Sequence, residues 1–171
     1  MYPGTPINSV SPCTEYLTFG PWIYLVPQFK PKSVLMLGYA KGTVAELMRL
    51  LYGKDFPITA IDIASAENDP ATLGVEFVCT DARDYLDTCG NYEVIIVDLW
   101  EYDAPEFIFT KEFVRAVASK CDYLIVHCMD YSDMSAYAHL PLVRVLGLDY
   151  GAKFYYYMIN RVARAPFRGR V

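Results

Sequence analysis

The sequence predicts a doubly wound α/β domain with a mostly parallel sheet of about seven strands. Three observations carry that expectation. Short all-apolar runs recur along the chain, stretches with helical spacing separate them, and several runs end in glycine or a polar residue. Runs that are apolar throughout suit strands buried on both faces, which is the condition of a parallel sheet.

Ser33–Leu37 (SVLML) reads as the first strand and ends at Gly38. Thr43–Tyr52 then places Val44, Leu47, Met48 and Leu51 on one helical stripe, with Gly53 as its terminator. Ile58–Ile63 reads as the second strand and Val75–Cys79 as the third. The stretch between them, residues 63–74, is short for a full helix. Ala82–Asp87 reads as a helical turn, Tyr92–Leu99 as the fourth strand, Thr110–Ser119 as a helix capped by Thr110, and Asp122–His127 as the fifth strand. Beyond these, Ser132–Leu140 has a helical pattern. Leu142–Leu148 and Lys153–Arg161 read as two more strands, joined by a hairpin-like turn at Asp149–Gly151.

The chain has 171 residues, 54% of them hydrophobic and 20% charged, which suits one globular domain rather than a disordered chain. Residues 1–31 hold six prolines and read as an irregular arm, with a short element near Tyr16–Val26; residues 32–171 form the domain. No apolar run approaches the length of a membrane span, and the N-terminus lacks a signal-peptide pattern, so the expectation is a cytoplasmic protein with no membrane partner. Five cysteines without a Cys-x-x-Cys pair argue against a disulfide framework or a zinc ribbon, and Cys79 and Cys128 read as small buried hydrophobes. Two histidines are too few for a metal site, and His127 reads as a strand-end residue rather than a ligand or base. The net charge is −5, and Arg161, Arg164, Arg168 and Arg170 leave the rest of the chain more acidic still. That balance argues against a nucleic-acid partner and suits a cationic small molecule. It leaves a homodimer open.

Ligands of an open parallel sheet bind beyond the carboxyl ends of its strands. Those ends carry Gly38-Tyr39-Ala40-Lys41-Gly42, then Asp62, then Asp81 and Ala82, then Asp98 with Glu101 behind it, then His127. The glycines give a strand-to-helix turn its conformational freedom and let a ligand approach the backbone. A carboxylate at Asp62 can accept both hydroxyls of a ribose, and Asp81 can take an adenine amino group. The plainer alternatives are a tight turn at Gly38, a turn cap at Asp62 and a helix N-cap at Asp81. Phosphate loops fit poorly. Lys41 precedes the second glycine, which breaks the P-loop pattern, and Ala40 and Thr43 occupy two glycine positions of the dinucleotide fingerprint.

The pieces SVLMLGYAKGT, ITAIDI, VEFVCTDARDYL, YEVIIVDLWEYDAP and FTKEF, in that order, resemble the spermidine synthase-like branch of the class I S-adenosylmethionine-dependent methyltransferase superfamily. The resemblance covers about Tyr16 to His127 and implies a Rossmann-like methyltransferase fold. It implies that Gly38, Tyr39, Ala40, Lys41 and Gly42 hold the methionine part of the cofactor. Asp62 would bind the ribose, with Ile63 beside it, and Asp81 and Ala82 would flank the adenine. Asp98 would help to deprotonate an attacking amine, and Glu101 would hold it. The implied enzyme is a transferase using S-adenosylmethionine. An aminopropyltransferase using decarboxylated S-adenosylmethionine and a non-catalytic binding module are the alternatives. Lys41 stands where aminopropyl-transferring members commonly carry an aspartate, and it favours a cofactor that keeps its carboxylate.

Overall fold

The computed structural model describes residues 31–66, 68–99, 105–129, 133–149 and 153–160. The N-terminal arm, Glu101 with its neighbours Trp100 to Asp103, and the arginine-rich C-terminus lie outside the described residues.

Among the described residues, seven strands form one sheet in the order β3-β2-β1-β4-β5-β7-β6. They are β1 (Val34–Leu37), β2 (Ile58–Asp62), β3 (Glu76–Cys79), β4 (Tyr92–Val97), β5 (Cys121–Met129), β6 (Leu142–Asp149) and β7 (Lys153–Asn160). Strands β1 to β5 pair in parallel. β7 is antiparallel to both β5 and β6, so β6 runs in the direction of the first five. The parallel core is thus five contiguous strands, and the last two strands extend it through an antiparallel insertion. Strand order reverses between β1 and β4, which makes their carboxyl ends the switch point at which ligands of such sheets bind.

The helices cover both faces. α1 (Thr43–Tyr52) packs on one face, where Val44, Ala45 and Met48 meet Val34, Met36, Val94, Ile96 and Ile125. α2 (Ala82–Thr88) and α3 (Lys111–Ser119) cover the other, where Leu86, Val114 and Val117 meet Leu35, Leu37, Ile95, Val97 and Leu124. Alternate residues of one strand therefore enter opposite cores, and this is why β1 is apolar at every position and β4 from Val94 to Val97.

Local signals explain the element ends. Thr110 caps α3 by accepting from the Phe113 N–H, and Gly53 ends α1 at φ +84°. The short β2–β3 connection contains a 3-10 turn at Pro70–Leu73, capped by Asp69, where a full helix has no room. A 3-10 turn at Met134–Tyr137 likewise takes the place of the helix expected over Ser132–Leu140. Two expectations about burial fail. Leu51 is 45% exposed, because α1 buries its first two turns and not its last. Cys79 is exposed, because β3 is the edge strand of the sheet.

Arg49 closes this half of the fold. Its Nε donates to the Leu73 carbonyl at 2.5 Å, Nη2 to Gly74 at 2.6 Å, and Nη1 to Gly53 at 3.2 Å and to Phe56. One guanidinium thus holds the end of α1 and the segments entering β2 and β3.

Candidate functional site at the sheet switch point

Backbone hydrogen bonds carry the sheet one residue past the strands. The Gly38 N–H donates to Ile61 O, Asp98 N–H to Leu37 O, and Thr80 N–H to Asp62 O, at 2.8, 2.8 and 2.9 Å. Asp62, Gly38 and Asp98 therefore stand in a row along one sheet edge, with Asp81 one residue past Thr80.

The loop after β1 is a tightly tied structure. Gly38, Ala40 and Gly42 have φ of +100°, +47° and +78°. A Cβ on Gly38 would lie 2.1 Å from the Asp98 carbonyl oxygen, so the loop starts in contact with the end of β4. A Cβ on Gly42 would lie 2.5 Å from the Tyr39 hydroxyl, because that buried ring folds beneath the loop against Phe77. Burial, reinforced by the negative charge of Asp69, raises the Tyr39 phenol above its ordinary value. Asn68 Nδ2 donates to the Lys41 carbonyl at 2.8 Å, tying the β2–β3 connection to the loop.

Asp62 is the centre of this arrangement. Its Oδ2 accepts from the N–H of Tyr39 at 2.9 Å and of Ala40 at 3.0 Å, and its Oδ1 accepts from the Ala64 N–H at 3.1 Å. A carboxylate offers about four acceptor positions, so one remains, on Oδ1. The loop amides take both positions on Oδ2, and the position left on Oδ1 is open to a ribose hydroxyl. Ile63 is 76% exposed beside it and offers an uncovered apolar face.

Asp81 caps α2 by accepting from the Arg83 N–H at 2.8 Å. The Arg83 guanidinium also grips its carboxylate through Nε at 3.0 Å and Nη2 at 2.6 Å, and lies 4.6 Å from the Phe107 ring centroid. The hydrogen bonds from Arg83 hold the Asp81 carboxyl below its ordinary value. The N–H of Ala82, first in α2, precedes the point where intrahelical acceptors begin.

Asp98 is paired. Its Oδ1 lies 2.6 Å from His127 Nδ1, with the two side chains 17% and 7% exposed. Val97 and Val126 are register partners, so the next residues on β4 and β5 stand side by side. His127 therefore pairs with Asp98, and it lies inside β5, which runs on to Met129, rather than at the strand end expected of it. Sequence reading missed this pairing, whose only signal is that both residues follow matching apolar runs. Arg83 was also missed, although its place two residues after an N-cap aspartate is a local cue.

Among the described residues no group of His, Cys, Asp and Glu could hold a metal ion. No helix among them is long and apolar enough to cross a membrane.

No family model matches the chain, and no curated protein matches its sequence. Solved structures match its shape. TrmN from Thermus thermophilus superposes with a TM-score of 0.61 at 15% identity, over 82% of this chain and 48% of TrmN. This chain thus spans about half the length of that protein. The plantazolicin methyltransferase BpumL, in complex with a desmethylPZN analog and SAH, matches with a TM-score of 0.62 at 13% identity, over 91% of this chain and 87% of BpumL. MtNAS, in complex with MTA and tNA, matches at 0.59 and 15%, over 87% of this chain and 61% of its own. The fold is that of class I methyltransferases. The spermidine synthase-like branch rests on the sequence pieces alone.

The residues present fit the adenosine part of S-adenosylmethionine. Asp62 Oδ1 keeps a position for a hydroxyl, Ile63 offers an apolar surface for a base, and α2 begins with Ala82's N–H.

Proposed function

We propose that this chain is an S-adenosylmethionine-dependent transferase of the methyltransferase type, related to the spermidine synthase-like branch and acting in the cytoplasm on a small cationic amine. One observation carries the reading. Two N–H groups of the switch-point loop are consumed inside the protein by Asp62. A phosphate cradle needs such donors turned outward to its anion. A loop whose amides face a carboxylate of its own chain suits a nucleoside without phosphate instead. SAH and MTA, present in the BpumL and MtNAS crystals, are adenosyl thioethers of that kind.

S-adenosylmethionine, when bound, supplies a carbon made electrophilic by its sulfonium. The chain's part is placement, which can contribute about 7–11 kcal/mol in favourable reactions. Asp62 and Ile63 orient the nucleoside, and the Asp98 carboxylate at the crevice holds an amine N–H and accepts its proton. Lys41, half-buried in the loop, is the cation nearest in sequence to the position assigned to the cofactor's carboxylate.

Calorimetry tests this with S-adenosylmethionine, its decarboxylated form, methylthioadenosine and NAD. We expect the three nucleosides without phosphate to bind and NAD not to. Tighter binding of the decarboxylated form would redirect the reading to aminopropyl transfer. Asp62→Ala should weaken methylthioadenosine binding by about tenfold or more, the loss of one charged hydrogen bond together with the loop's tie. Wild type that binds none of these nucleosides, or Asp62→Ala that binds as well as wild type, overturns the proposal.

A further inference from the structure

The geometry points to His127 as a positioning residue that aims the Asp98 carboxylate; its role in transfer rests on the function proposed above, whereas the pairing itself does not. An ionised carboxylate only accepts hydrogen bonds, so at 2.6 Å the donor is the His127 Nδ1–H and the acceptor is Asp98 Oδ1. A contact this short is a charge-assisted hydrogen bond, stronger and more directional than a neutral one. The imidazole is 7% exposed and belongs to the interior, while the Asp98 side chain, at 17%, is partly open to solvent beyond the end of β4. His127 is itself held firmly. It lies within β5, flanked by β4 and β7, and its backbone is registered against Tyr156. A rigid strand therefore carries the donor and an exposed strand end carries the acceptor. Oδ1 already accepts from the imidazole, and Oδ2 is the freer oxygen to meet a nucleophile's N–H. Without the imidazole, Asp98 would be a strand-end side chain able to rotate about χ1, and its charge would point at the crevice for only part of the time.

Two probes separate this role from a packing role. S-adenosylhomocysteine reads the nucleoside site alone. Sinefungin adds an ammonium group where the transferred methyl would stand, so its preference over S-adenosylhomocysteine reads the aimed carboxylate. In His127→Leu, which keeps an apolar filler, that preference should fall about fivefold while S-adenosylhomocysteine affinity stays within about twofold of wild type. His127→Asn, whose amide can donate from nearly the Nδ1 position, should restore it. Three-bond couplings to Asp98 Cγ, measured without ligand, should report one χ1 rotamer in wild type and His127→Asn and averaging in His127→Leu. A strongly downfield Nδ1–H resonance should be present in wild type and absent from Asp98→Ala, which reads the pair without touching His127 should His127→Leu not fold. An unchanged sinefungin preference in a folded His127→Leu overturns the inference, as does a single Asp98 rotamer in that variant or a missing Nδ1–H signal in wild type. If wild type binds neither nucleoside, the proposed function falls, and the couplings and the Nδ1–H signal still decide whether His127 positions Asp98.

Discussion

Replacing Gly38 by alanine should force the switch-point loop away from β4, and its cost can be worked from the geometry. Gly38 sits at φ +100°, a conformation that L side chains rarely adopt, and the added Cβ would meet the Asp98 carbonyl oxygen at 2.1 Å and its carbonyl carbon at 2.8 Å. The backbone conformation alone costs an alanine about 1–3 kcal/mol. The clash is with backbone and not with the end of a flexible side chain, so β1 and β4 must part, and overpacking of this kind costs about 1–3 kcal/mol more. A loss of about 2–6 kcal/mol is a substantial part of a domain's usual stability, and it corresponds to a fall in Tm of roughly 4–24 °C for a chain of this size. Two other glycines calibrate the measurement. Gly53 has φ +84° and ψ 173°, with nothing within 4 Å of an added Cβ, so Gly53→Ala isolates the conformational cost at about 1–3 kcal/mol. Gly90 has neither a positive φ nor a close neighbour, so Gly90→Ala should be neutral within about 0.5 kcal/mol. Urea unfolding followed by circular dichroism gives the three values side by side. A Gly38→Ala loss no larger than that of Gly53→Ala would refute the claim that the loop is pressed against the end of β4.

Arg49→Met should destabilise the chain by about 2–4 kcal/mol, because the carbonyls of Leu73, Gly74, Gly53 and Phe56 lose a shared charged donor, and Arg49→Lys should recover only part of it in the same unfolding assay. Asp81 gives a pH dependence. Its carboxyl is held below the ordinary value in the folded chain, so its contribution is present above the unfolded value, near pH 4, and is lost as pH falls through the folded value. Asp81→Asn should therefore narrow its stability gap to wild type as urea midpoints are followed from pH 6 down to pH 2, and a constant gap would count against the Arg83 pairing.

Much of the architecture was legible in the sequence because its causes are local. Apolar runs at β1, β2 and β4 mark strands buried on both faces, and the stripe from Val44 to Met48 marks α1. Thr110 and Asp81 cap helices through hydrogen bonds spanning two or three residues, a distance at which spacing alone is informative. Gly38 and Gly42 announced the turn between strand and helix.

What those residues touch was decided only by the tertiary structure. The acceptor for the Tyr39 and Ala40 amides is 23 and 22 residues away, and the donor to Asp98 is 29 residues away. Such partners depend on strand order and register, which no local spacing records. β7 lies between β5 and β6, an order that chain order does not suggest. The sequence by itself determined a parallel sheet with a glycine loop and acidic strand ends. Register and packing decided that Asp62 is turned back onto the loop and that Asp98 is held by a histidine, because a side chain's partner is set by what the fold brings beside it.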